Sequence, residues 1–222
     1  MITKDQTING VELKSLLLRQ RIIRPRFKLP CSAEQAAEML ITAYEVEVTR
    51  RHQTYRWNGV LDGYIMRAAQ WLTSDTPKFG LMLCGLTGNG KTTLAKAIAS
   101  IITLCGIRNE QTDRVWRIRM EEATELMRLY KDKYEQFTAI RSYPMLIIDD
   151  LGCEPAEVMD YGTVTTPITD LLTYRYAEQL FTIVTTNLTG KQVRTKYGDR
   201  IADRFNEMME VIIFENQSFR TK

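Results

Sequence analysis

The chain's 222 residues suit one domain of ordinary size with a modest appendage. Apolar residues make up 44%, no run reaches the length of a membrane-spanning helix, and a single histidine, His52, excludes His-based metal or triad chemistry. The net charge of +3 argues only weakly for a polyanionic partner, yet it is unevenly spread: residues 1–30 hold seven basic side chains against Asp5 and Glu12, so the remainder is slightly acidic.

The first ten residues, MITKDQTING, are polar and show no secretory signal. Cys31, Cys84, Cys105 and Cys153 are too far apart in sequence for zinc-ligand spacing, so the expectation is free thiols in a reducing cytoplasm. Neither repeats nor low-complexity tracts occur.

In chain order, residues 11–23 predict a short, mostly apolar helix, and Pro25 and Pro30 break the pattern. Ser32 with Gln35 forms a capping box ahead of a second helix whose Ala33, Ala36, Ala37, Leu40, Tyr44 and Val48 share one face. A third helix over about 58–73 carries the stripe Leu61, Ile65, Ala68, Ala69 and Leu72. Tyr55, Trp57 and Tyr64 read as core aromatics. From Phe79 onward, short apolar runs at 80–84, 114–118, 145–148, 181–185 and 211–214 alternate with helical patterns near 91–105, 120–132 and 166–178. This alternation predicts an α/β fold with a parallel five-stranded sheet covered by helices on both faces. The expected division is a small helical, basic region at 1–57 and a nucleotide-binding domain at 58–222 that includes its leading helix.

Gly85, Leu86, Thr87, Gly88, Asn89, Gly90, Lys91 and Thr92 match GxxxxGK followed by Ser or Thr, with a strand leading in and a helix leading out. Glycines let backbone wrap phosphate closely, and the backbone N–H groups and positive helix terminus then face the anion. Lys91 is expected on the β- and γ-phosphates of ATP and the Thr92 hydroxyl on Mg²⁺, with Thr93 beside them among the nucleotide-binding residues.

The run Met145–Ile148 is apolar throughout, as a doubly covered strand should be, and ends in Asp149 and Asp150. Carboxylates at that end of a parallel strand sit where ligands bind. Asp149 is assigned to Mg²⁺ and Asp150 to orienting or activating the attacking water. Asn187, after the strand at 181–185, is placed beside the water or γ-phosphate. Arg200 and Arg204, four apart, share a helix face. They read either as surface ion-pairing residues or as an arginine finger reaching the nucleotide of a neighbouring subunit.

Taken in order, GLTGNGKTTLA, LIIDDLG and ITDLLTYRYAEQLFTIVTTNL resemble the AAA+ ATPases of the DnaC/IstB type, the replicative helicase loaders and transposition ATPases, over about Phe79 to Arg220. The Arg175-Tyr176 pair is similar to that family's, and GDRIADRF looks like its arginine-finger box, which would make Arg204 the finger and Arg200 its support. Ser218-Phe219-Arg220 looks like its terminal motif, which implies a nucleotide-sensing role for Arg220 and no C-terminal lid domain. The resemblance implies a cytoplasmic ATPase that needs ATP and Mg²⁺ and no membrane. It would assemble with copies of itself when ATP-bound, on a replicative helicase or a transposase and on DNA, single-stranded in the first case.

Two departures stand out. The stretch between the second and third strands is short for a loader that grips DNA there, so Arg119, Lys131, Lys133 and Arg141 are either DNA contacts or a solvated face. Asp150 stands where related ATPases often have Glu, which keeps open a module that binds ATP without hydrolysing it. Residues 1–57 either bind the partner or pack on their own ATPase domain. A small-molecule P-loop kinase is the alternative of another class. A GTPase is disfavoured because no Asn is followed by Lys.

Overall fold

The computed structural model describes residues 9–20, 26–55, 59–109, 112–160 and 163–219. Helix α1 (Gly10–Gln20) starts at Asn9, whose Oδ1 accepts from the backbone N–H groups of Val11 and Glu12 at 3.0 and 2.9 Å. It leaves Val11, Leu13 and Leu16 exposed. Pro25 and residues 21–23 of the predicted helix lie outside the described residues. The capping box at Ser32 and Gln35 forms as expected and opens α2 (Ala33–Thr49). Next comes α3 (Gly59–Thr73).

Among the described residues, five parallel strands make the main sheet: β1 (Gly80–Gly85), β2 (Ile118–Glu122), β3 (Met145–Leu151), β6 (Phe181–Thr186) and β7 (Met209–Phe214). Their order is β2-β3-β6-β1-β7. A separate antiparallel pair, β4 (Val158–Asp160) and β5 (Thr163–Thr165), lies between β3 and the next helix. Because side chains alternate along a strand, each strand feeds two cores. Leu81, Leu83, Met145, Ile147, Ile183 and Ile212 join α2, α3 and α4 (Lys91–Cys105) on one face. Met82, Leu146, Ile148, Val184 and Met209 join the other. That second face is covered by α5 (Ala123–Asp132), α6 (Tyr134–Arg141), α7 (Pro167–Ala177), α8 (Gly190–Tyr197) and α9 (Asp199–Met208).

Ala36, Ala37, Leu40 and Tyr44 of α2 are buried in the same core as α3 and α4. Tyr55 and Tyr64 pack against that core too; Trp57 lies outside the described residues. Among the described residues no helix is long and apolar enough to cross a membrane.

The second strand departs from expectation. Residues 114–118 were predicted to pair, but β2 begins at Ile118, opposite Met145. The preceding residues instead turn back on themselves, with Arg108 bridging Val115. β2 is an edge strand of half-buried and exposed residues, so it lacks the apolar run that marks its neighbours.

Arg175 of α7 is fully buried. Its Nε donates to Thr182 Oγ1 at 2.8 Å, and its remaining nitrogens donate to the carbonyls of Arg141, Tyr143 and Phe181 at 3.1, 2.8 and 2.6 Å. Burial pushes this guanidinium down to about 9, which leaves it charged at neutral pH. One planar fork thus ties α7 to the entry ends of β3 and β6. Lysine has no such fork. Arg175→Lys is therefore expected to lose at least ~3 kcal/mol of stability, because several buried acceptors lose their donor. Urea unfolding measures it, and a loss below about 1 kcal/mol, the scale of an ordinary substitution, would refute the clamp.

Candidate nucleotide site

The strand order places β6 between β1 and β3, so the C-terminal ends of these three strands adjoin. The connection from β1 runs through α4 on one face and that from β6 through α8 and α9 on the other. A crevice forms where connections part in this way, and ligands of open α/β sheets bind there.

The loop after β1 is shaped by Gly85, Gly88 and Gly90, with φ of 145°, 82° and 100°. Gly90 is pinned twice over. Its φ suits glycine, and a Cβ there would come within 2.3 Å of the Tyr44 hydroxyl and 3.3 Å of the Phe219 ring. Leu86 and Thr87 are exposed at the loop's crest. Asn89 is buried, donating from Nδ2 to the Phe214 carbonyl at 3.1 Å. Lys91 opens α4, a 15-residue helix whose positive end faces the loop.

Lys91 is only 5% exposed, and its ammonium is richly bonded. Nζ donates to the carbonyls of Gly85 and Leu86 at 2.8 and 2.7 Å, to Asn89 Oδ1 at 3.0 Å and to Asn187 Oδ1 at 2.9 Å. The last bond joins the loop after β1 to the tip of β6. Thr92 Oγ1 donates to Asp149 Oδ1 at 3.0 Å, joining the loop to β3. Thr185 Oγ1 donates to the same oxygen at 2.5 Å and accepts from the Asp150 backbone N–H at 2.9 Å. Lys91, Thr92, Asp149 and Asn187 are therefore brought together, while Thr93, buried beside them, meets Tyr44.

Asp150 lies at a bulge. The register of β3 against β6 shifts between Ile148 and Leu151, and Asp150 has φ of 52° with its side chain exposed. Aspartate tolerates this left-handed conformation better than most residues. The bulge aims Asp149 inward and Asp150 outward, as re-aimed side chains beside functional sites often are. Beyond it, Gly152 N–H donates to Glu154 Oε2 at 2.8 Å, and buried Glu154 accepts from the Tyr197 hydroxyl. This ties the loop after β3 to α8.

Three contacts were not anticipated from sequence. Tyr44 of α2 presses its hydroxyl on Gly90 and hydrogen-bonds Thr93; burial pushes that phenol up to about 12. Asn216 Nδ2 donates to the Asn89 carbonyl at 3.3 Å, and the Phe219 N–H donates to the Gly88 carbonyl at 2.9 Å. The segment after β7 thus grips the loop from behind. Arg220 lies outside the described residues.

The arginine pair sits on α9, away from these bonds. Arg200 is exposed, whereas Arg204 donates to Thr173 Oγ1 at 2.7 Å and stacks 4.9 Å over the Tyr176 ring. Of the other basic residues singled out in the sequence, Arg119 of β2 pairs with Glu121 at 2.8 Å and Arg141 lies 4.6 Å over Tyr174. Lys131 and Lys133 are exposed.

The contact between Tyr44 and Gly90 gives a direct test. Gly90→Ala is expected to cost roughly 1–3 kcal/mol from backbone strain and the hydroxyl clash. In a Tyr44→Phe background the cost should fall by about 0.5–1 kcal/mol, a coupling that thermal unfolding of the four proteins measures. Strict additivity would show that the hydroxyl does not press on the loop.

No family model and no curated protein matches the chain. Solved structures do. The DnaC helicase loader is 21% identical, with 72% of this chain and 93% of that one covered and a TM-score of 0.56. DnaI is 27% identical, with 64% and 72% covered and a TM-score of 0.50. The replication initiator DnaA bound to AMPPCP and single-stranded DNA is 15% identical, with 74% and 48% covered and a TM-score of 0.50. The α/β architecture expected from the strand–helix alternation is the one these structures share, and the chain is similar in fold to the DnaC helicase loader.

Proposed function

We propose that this chain binds and hydrolyses ATP with Mg²⁺ as a AAA+ switch that loads or regulates a replicative helicase on DNA. The observation that carries the proposal is the convergence of Lys91, Thr92, Asp149 and Asn187 at the ends of three adjacent parallel strands. Three glycines with positive φ and a helix N-terminus form an anion cradle there.

The donor set fits magnesium. Thr92 Oγ1 and Asp149 Oδ1, 3.0 Å apart, are hard oxygen ligands. Among the described residues no cluster of three or more His, Cys, Asp or Glu side chains could hold a metal alone. The proposed ion is held by one carboxylate, one hydroxyl and phosphate oxygens. Magnesium would supply neutralisation of the phosphate charge. Lys91 binds the β- and γ-phosphates, Asp150 orients the attacking water, and Asn187 holds it against the γ-phosphate. Arg204 of one copy acts on the nucleotide of the next, with Arg200 supporting it and Arg220 sensing the bound phosphate. Similarity to the DnaC helicase loader and to DnaA with AMPPCP and single-stranded DNA supports the choice of nucleotide and partners. Differential affinity of ATP and ADP states for the helicase then times release.

The test is ATP turnover across protein concentration, with and without single-stranded DNA and a replicative helicase, alongside nucleotide binding. Lys91→Ala should weaken ATP by about 100-fold or more, the loss of a charge-assisted contact. Asp150→Asn should keep binding and lose turnover. Arg204→Ala should keep binding and lose roughly 10³-fold in turnover of the assembled protein. Unchanged nucleotide affinity in Lys91→Ala removes the whole reading. Equal turnover of wild type and Arg204→Ala removes only the action in trans.

A further inference from the structure

The opposite end of the same sheet carries a groove of about 1410 Å³, more than the ~300–1,000 Å³ of a small-molecule pocket. Its floor is formed where β1, β3 and β6 begin, at Phe79, Tyr143 and Phe181. One wall is made by residues 26–30 with 74–78. The other is the turned-back arm before β2, held by Trp116 N–H to the Ile107 carbonyl and Asn109 N–H to the Arg114 carbonyl, both 2.8 Å.

Among the described residues six cations line this groove against one carboxylate, Asp75. Three are offset: Lys28 by Asp75 at 2.7 Å, Lys78 by Glu210 at 3.4 Å and Arg108 by Asp113 at 3.2 Å. Arg114 and Arg117 are exposed on the arm and make no ion pair among the described residues. This charge calls for a polyanion.

The aromatic rings of the groove distinguish between polyanions. Trp116, half-buried, meets Phe27 edge-on at 6.0 Å, and Phe27 meets Phe181 at 5.8 Å. Tyr143 is half-buried beneath Arg119, whose guanidinium lies 5.7 Å from its ring. An acidic peptide gains little from such rings, whereas unpaired bases stack on them. From this combination we infer that the groove binds single-stranded nucleic acid, with phosphates on Arg114 and Arg117 and a base against Trp116. The site is separate from the nucleotide cradle and needs no ATP. It also differs from the four basic residues singled out in the sequence, Arg119, Lys131, Lys133 and Arg141, none of which lines it.

The test uses the full chain without nucleotide and a fluorescein-labelled oligo-dT of about 20 nucleotides, a length covering more than one ~4–16 nucleotide site. The double variant Arg114→Glu/Arg117→Glu should bind at least ~30-fold more weakly in low salt and show a salt slope smaller by about two. Trp116→Leu should weaken binding about 10-fold and reduce the tryptophan quenching expected of wild type on binding, Trp71 also lining the groove. Lys131→Glu/Lys133→Glu should bind as wild type does. ATP affinity of the arm variants should be unchanged, which shows that they fold, and Lys91→Ala should bind the oligonucleotide normally, which separates this site from the ATPase reading. Equal oligonucleotide affinity in wild type and the arm double variant overturns the inference. So does an equal loss in the Lys131/Lys133 variant. If a glutamate homopeptide binds, loses affinity in the arm double variant, and the oligonucleotide does not, the groove belongs to an acidic protein instead.

Discussion

One buried ammonium organises the cradle. Lys91 sits almost wholly out of water, where an unpaired charge would be very costly, and it is compensated by two carbonyls of its own loop, by Asn89 and by Asn187. Those bonds close a ring through the exit of β1, the loop, the start of α4 and the tip of β6. The loop's shape is thereby tied to the spacing of the central strands. A triphosphate offers the same ammonium formal negative charge in place of neutral oxygens, an exchange toward stronger, charge-assisted bonds. The residue that holds the loop together is thus the one with most to gain from the proposed ligand.

The carboxylates depend on a second constraint, the bulge in β3. In an unbroken strand Asp149 and Asp150 would point to opposite faces in simple alternation. Here the shift in register and the positive φ of Asp150 carry its side chain into the open, while Thr185 fixes both residues, donating to Asp149 and accepting from the backbone of Asp150. Such local strain persists only where surrounding bonds enforce it. Glu154, Tyr197 and Lys196 provide that enforcement from the far side of the loop, with Lys196 donating to the Gly152 carbonyl at 2.6 Å.

Much of this was legible because the signals are local. The start of α4 is set by the phosphate loop and its end by Gly106, with φ of 57°, so the predicted bounds 91–105 match the helix. The buried strands β1, β3 and β6 announce themselves as apolar runs, whereas β2, at the sheet edge, does not. Helix α8 went unread although Thr189 with Gln192 forms the same capping box as Ser32 with Gln35. Its polar sequence offers no stripe to go with the cap. Tyr44 was legible as a core position and not as a neighbour of the loop, since its place in an apolar stripe says which face it occupies and nothing about what that face meets. The bulge at Asp150 was hidden for a related reason: register is a property of the pair of strands, and neither strand states it alone.

The two ends of the sheet are joined by more than the strands. Arg175 binds the carbonyls of Tyr143 and Phe181, both of which line the groove, at the entry ends of the two strands whose far ends carry Asp149 and Asn187. On the other face, the segment carrying Phe27, Lys28 and Pro30 along the groove leads directly into α2, whose Tyr44 rests on Gly90. From Ser32 to Tyr44 that helix spans about 18 Å at its usual rise, packed along its length on α3 and α4. A close-packed rod of this kind transmits displacement as a unit and does not bend to absorb it. The cradle and the groove therefore share two rigid connections, one through the buried guanidinium and one through α2.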